Sequence, residues 1–123
     1  MSQYGDSYAG AIREIGCAIC GVQVLVHAAH VTSRGAGGLA CDLVPLCGYH
    51  HAEEHRAGHE TFQAKYGVDL EALAARLWER LSPEHLPCRE AVIAVLALRV
   101  AKGMRLSRAH RKVWKGENER TGG

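Results

Sequence analysis

The chain has 123 residues, 47% of them hydrophobic and 23% charged, with a formal net charge of +2. Such a length and balance suit one globular domain and exclude a chain disordered by composition. The longest apolar run, residues 91–98, is far short of the roughly 20 residues that cross a bilayer, and no basic start followed by an apolar stretch marks a secretory signal. The expectation is a soluble, cytoplasmic protein without a membrane partner.

In chain order, residues 1–16 read as a flexible leader, with at most a helical turn at 11–15. Cys17-Ala-Ile-Cys20-Gly21 reads as a knuckle whose glycine can take the positive φ of a tight turn. Residues 22–31 are rich in β-branched side chains and predict one or two strands. Gly35, Gly37 and Gly38 make 32–41 a loop, and 43–46 a short strand. Residues 48–57 favour helix, stopped by Gly58; a second helix is expected over 60–66, ended by Gly67. The positions Leu70, Leu73, Ala74, Leu77, Trp78 and Leu81 follow helical spacing, which predicts a helix over 70–81 with Asp69 as its N-cap. Ser82-Pro83 makes a break, and Pro87 starts a long helix to about Trp114 that Gly103 weakens. The domain plan is a leader (1–16), a metal domain (17–67), a helical extension with a basic end (68–115) and a disordered tail (116–123).

Two uneven distributions bear on function. Among eight histidines and five cysteines, His27, His30, His50, His51, His55 and His59 crowd together with Cys41 and Cys47. An odd cysteine count without an export signal favours metal binding over a disulfide framework. Cys17-X-X-Cys20 and Cys47-X-X-His50 form two halves of a tetrahedral Cys3His site for a structural zinc, which supplies folding free energy that a small core lacks. Cys41 and Cys88 fall outside this pattern and read as small buried hydrophobes. His27, His30, His51 and His55 remain. His51 and His55 are four apart and share a helix face, so together they can hold one ion. His50, rotated about 100° from His51, faces the other way. His30, on the preceding strand, can meet the ion across the hairpin. A histidine beside an open metal site suits hydrolysis of a phosphodiester, taking a proton from water while the metal polarises a phosphoryl oxygen.

Taken jointly, Cys17-X-X-Cys20, Ala29-His30-Val31, Gly35-Ala-Gly-Gly38, Asp42, and Val44-Pro-Leu-Cys47-X-X-His50-His51-X-X-X-His55 resemble the HNH nuclease family, and within it the zinc-containing phage group associated with recombination. The resemblance covers residues 17–67. It implies an α+β fold: a small ββα-metal, treble-clef-like core with a structural zinc, followed by C-terminal helices. It also implies a DNA endonuclease, with His30 as general base, Asp42 in the slot of the family's middle Asn, and His51 and His55 on a catalytic Mg2+, Mn2+, Ni2+ or Zn2+. Cys17, Cys20, Cys47 and His50 match the structural zinc ligands. The implied setting is the cytoplasm of a bacterial or phage-infected cell, with phage or host recombination or packaging proteins as partners. Two positions depart from the family pattern. Ala29 stands where a metal-ligating Asp or His usually precedes the base, and His27, two residues earlier on the same strand face, is the candidate substitute. Asp42 replaces Asn, so it accepts hydrogen bonds but cannot donate as an amide does.

The second uneven distribution is basic: Arg99, Lys102, Arg105, Arg108, Arg111, Lys112 and Lys115 occur without an acidic residue among them. On one continuous helix their steps of three wrap the surface and form no single stripe. They read as contacts to the DNA backbone, and Arg34 beside the glycine loop as a phosphate ligand. His59, His85 and His110 read as solvated surface groups. Two other readings stay open: a zinc-stapled DNA-binding or adaptor module without catalysis, which Ala29 favours, and a purely structural zinc protein, which leaves His30, His51 and His55 without a role.

Overall fold

The computed structural model describes residues 3–31 and 38–121. Its only strands among these are β1 (Val26–His30) and β2 (Leu43–Cys47), paired antiparallel so that Val26 faces Cys47, Ala29 faces Val44 and His30 faces Leu43. Residues 22–25 of the expected strand region lie outside β1. A helical turn at 40–42 leads into β2, and Val31 N–H donates to the Asp42 carbonyl at 2.9 Å, closing the open end of the hairpin.

Every residue of β2 is buried, because the hairpin is covered on both faces. On one side Leu43 joins Tyr8, Ile12, Cys41, Trp78, Val92, Leu96 and Val113 in a core. On the other, Ala29, Val44 and Leu46 join Cys17, Cys47, Phe62, Leu70 and Ala74. A strand covered on both faces needs an unbroken apolar run instead of alternation, which is what Leu43-Val-Pro-Leu-Cys47 provides.

Three helices follow in the expected chain order. Helix α2 (Gly48–Ala57) starts where β2 ends, with Cys47 as its N-cap. Helix α3 (His59–Tyr66) stops at Gly67, whose φ of 62° is left-handed and is tolerated by glycine for want of a Cβ. Helix α4 (Leu70–Leu81) begins at the expected cap, Asp69, whose carboxylate accepts the Ala72 N–H at 3.0 Å. That hydrogen bond, with Arg108 and Lys112 nearby, holds the Asp69 carboxyl below its ordinary value. A cap of this kind contributes about 1 kcal/mol, and because its folded pKa is depressed the contribution is present at neutral pH and lost on acidification. Helix α4 spans the two cores, with Leu70 and Ala74 in one and Trp78 in the other.

The ends of the chain depart from expectation. Residues 3–15 form a helix, α1 (Gln3–Ile15), not a flexible leader: Tyr8 and Ile12, one turn apart, are both fully buried, and the Tyr8 ring packs edge-on to Trp78 at 5.1 Å. The long helix expected from Pro87 to Trp114 is two, α5 (Leu86–Ala101) and α6 (Arg108–Thr121). Gly103, at φ 74°, lets the chain turn between them, and Ser107 Oγ accepts the His110 N–H at 3.2 Å to start α6. Helix α6 continues through Thr121, so 116–121 is not a disordered tail. The extension of 68–115 packs on the hairpin: Trp78, Val92, Leu96 and Val113 share a core with Cys41 and Leu43. Among the described residues, no helix is long and apolar enough to cross a membrane.

Candidate metal centre and histidine cleft

The knuckle folds onto the end of the hairpin. Gly21 N–H donates to the Cys17 carbonyl at 2.8 Å, Cys17 N–H to the Val22 carbonyl at 2.9 Å, and Ala18 N–H to the Pro45 carbonyl of β2 at 2.9 Å. This brings Cys17 and Cys20 to Cys47, the last residue of β2, and to His50 in the first turn of α2. The four ligand atoms all lie within 4.8 Å of one another, and this is the only such group of three or more among the described residues. Cys20 and Cys47 Sγ are 4.0 Å apart, and His50 Nδ1 lies 3.3 Å from Cys47 Sγ and 3.7 Å from Cys17 Sγ. A tetrahedron with Zn–S near 2.3 Å and Zn–N near 2.0–2.1 Å has edges of roughly 3.5–3.8 Å, so the donor set fits zinc in kind and in spacing. The cluster can hold a metal such as zinc.

The electrostatics agree. Burial raises the Cys17 thiol, but hydrogen bonds from the backbone of Cys47, Cys20 and Ile19 and from the His50 ring outweigh it and bring the thiol down to about 6. A thiol with that value is largely thiolate at neutral pH, the form that binds metal. The Tyr66 ring packs edge-on to His50 at 5.4 Å, while its hydroxyl donates to Glu53, which also receives Lys65. One face of α2, carrying His50 and Glu53, is thereby fastened to α3. Cys41 and Cys88 sit in the core, and burial pushes both thiols up, as befits packed, unreactive groups.

The other face of α2 carries His51 and His55, whose Nε2 atoms are 3.2 Å apart. Two imidazole nitrogens on one ion at about 2.0–2.1 Å stand roughly 2.9–3.4 Å apart, so this pair is spaced to share one. They line a cleft of about 570 Å³ with His30, Glu54 and His59. Burial, and then the neighbouring His55 and His27, keep the His51 ring below its ordinary value, which favours the neutral form that ligates metal. His27 comes to this group as well, but its Nδ1 lies 2.9 Å from His51 Nδ1, the ring nitrogen that does not face His55. Ala29 is buried in the second core.

Sequence reasoning missed Glu54 and His59 as cleft residues. Glu54 sits one turn from His51, a spacing that carries the signal. His59, expected in solvent, is partly buried and pairs with Glu54 at 3.4 Å. His85, also expected in solvent, is half-buried and meets Ser7 Oγ at 3.0 Å.

Asp42 and His110 are a larger departure. Asp42 is fully buried, and its Oδ2 accepts the Leu39 N–H at 3.1 Å and meets His110 Nε2 at 2.6 Å. Asp42 therefore fixes the chain entering β2, next to the strand end that carries His30, and does not open into the cleft. His110, read from sequence as a surface group, is 1% exposed. It anchors α6 to the hairpin.

The basic residues divide three ways. Arg34 lies outside the described residues. Arg99 is half-buried near Cys41, and Lys102 and Arg105 are exposed between α5 and α6. Arg108, Arg111, Lys112 and Lys115, the four of the series that lie in α6, fall at i, i+3, i+4 and i+7 and share one exposed stripe beside Trp114, whereas Arg99, Lys102 and Arg105 lie outside that helix. Arg108 also pairs with Glu71 and Asp69 at 3.2 and 3.4 Å. Comparison of the chain with protein-family models, with curated proteins and with solved structures found no match.

Proposed function

We propose that the chain is a metal-dependent, HNH-type endonuclease that hydrolyses DNA phosphodiester bonds. The observation that carries this reading is the convergence of His30, from the end of β1, with His51 and His55, from α2, on one open cleft, on the opposite side of the helix from the Cys3His cluster. A closed four-ligand set suits a structural ion, whereas a two-histidine set leaves positions for water and substrate. His51 and His55 would hold a divalent ion, which when bound would supply Lewis acidity to the phosphodiester. His30 takes the proton of the attacking water. Asp42 holds the loop end next to His30, and the α6 stripe, with Lys102 and Arg105, neutralises backbone phosphates. The motif spacing that resembles the HNH family supports the same roles for His30, His51 and His55, and Arg34, beside the glycine loop, is a further candidate phosphate contact.

The test is conversion of supercoiled plasmid to open circle with Mg2+, Mn2+, Ni2+ or Zn2+. The parent should nick, and His30→Ala should lose at least about a hundredfold in rate, the scale of general-base catalysis, while still retarding DNA in a gel. A parent that leaves plasmid intact with every ion, or a His30→Ala variant as active as the parent, contradicts the proposal. The buried methyl group of Ala29, at a position where the family places a ligand, favours a second reading: a zinc-stapled DNA-binding or adaptor module. That reading is selected if DNA binding occurs without any open-circle product.

A further inference from the structure

His27 belongs to the histidine cluster, yet its geometry is not that of a third ligand. His51 has one ring nitrogen toward each neighbour: Nε2 faces His55 Nε2 at 3.2 Å, and Nδ1 faces His27 Nδ1 at 2.9 Å. The two nitrogens of an imidazole point away from each other, so an ion shared by His51 and His55 cannot also be the point at which His27 meets His51.

We propose that His27 is a positioning residue: it accepts a hydrogen bond from His51 Nδ1–H, and so fixes both the ring orientation and the tautomer that presents His51 Nε2 to a divalent cation. This rests on the reading of the His51/His55 pair as a metal site. The proton inventory closes without a charged group. A neutral His51 has one N–H; with Nε2 as the lone-pair donor, that hydrogen is on Nδ1. His27 then receives it at a bare Nδ1 and carries its own hydrogen on Nε2. In the metal-free arrangement His55 Nε2–H donates to the His51 Nε2 lone pair, which leaves every nitrogen of the chain His55–His51–His27 with a consistent role.

The ring packing and the backbone agree with this geometry. The two rings meet edge-on, with centroids 5.1 Å apart and planes at 81°. His27 sits in β1 opposite Leu46, and a Cβ on Gly48 would stand 3.7 Å from the His27 ring. Gly48 N–H donates to the Leu25 carbonyl at 3.0 Å, tying the start of α2 to the start of β1. Ligating histidines commonly donate their second N–H to an orienting acceptor, whose loss weakens metal affinity about 10- to 100-fold. Here the acceptor is a second histidine from the strand.

The experiment uses the zinc-loaded full chain, titrated with Ni2+ by calorimetry, alongside nitrogen-15 NMR of the histidine rings. His27→Ala should weaken Ni2+ about 10- to 100-fold, and the His51 signal should shift from the Nδ1–H form toward a mixture of tautomers. In His27→Asn the side-chain oxygen stands where Nδ1 stood, so affinity and the Nδ1–H signature should return to near the parent's. If His27 is itself a ligand, Asn fails to restore affinity and the proposal is overturned. It is equally overturned if His27→Ala binds Ni2+ like the parent while His51→Ala does not. If His51→Ala binds Ni2+ unchanged, the metal reading of the pair has failed as well, and that outcome is told apart from the others by this variant alone.

Discussion

Replacing Cys47 with serine is expected to abolish folding of the hairpin and α2, and to release any zinc the protein carries. Cys47 has three structural tasks: it ends β2 opposite Val26, its sulfur caps α2 by accepting the His50 N–H, and it belongs to the Cys3His cluster. Serine retains an N-cap but is a poor zinc ligand. Binding free energies of structural zinc are about 10–16 kcal/mol in small zinc-dependent folds, as large as the whole stability of a domain, about 5–15 kcal/mol. Loss of the site therefore removes the margin. The same should follow from a strong chelator acting on the parent. Far-UV circular dichroism on heating, paired with a colorimetric zinc assay, checks both. A zinc-free protein that melts cooperatively at the parent's temperature contradicts the assignment.

His110→Ala should be the most damaging change outside the zinc cluster. It leaves the Asp42 carboxylate, 0% exposed, with the Leu39 N–H on Oδ2 and no partner on Oδ1. Breaking a buried pair by removing one partner costs about 3–5 kcal/mol. Urea unfolding measures the loss. Asp42→Ala/His110→Ala should be less destabilised than the sum of the single variants, because the second substitution removes the group the first one stranded. A single His110→Ala loss below about 1 kcal/mol, or strict additivity, would show that the pair does not hold α6 to the hairpin.

What was legible in the sequence was local. Helices over 48–57 and 70–81, the caps at Asp69 and Gly58, and the Cys3His cluster each follow from spacing within a few residues, and the structure places them as expected. The unread parts depend on contacts distant in the chain. The first helix has a short apolar face made of Tyr8 and Ile12, diluted by Gly5 and Gly10; its stability comes from Trp78 and the rest of the core. No local pattern could pair His110 with Asp42, 68 residues earlier. The break at Gly103 was marked as a weak point, but whether a glycine bends or ends a helix depends on what Leu106 and Val113 can reach, and both reach the core. The same break separates Arg99, Lys102 and Arg105 from the four basic residues of α6. His27 meets His51 in the structure; the nitrogen that it faces is a matter of ring orientation, which spacing does not encode.

On the proposed reading, the two faces of α2 serve two ions, a closed site at His50 and an open one at His51 and His55. Counting metal per chain by mass spectrometry tests it most directly, after equilibrium dialysis of the parent and of His51→Ala against Zn2+ or Ni2+. Two ions are expected in the parent and one in His51→Ala, with zinc at the cysteine cluster retained and the fold intact. One ion in the parent, or two in His51→Ala, would contradict it.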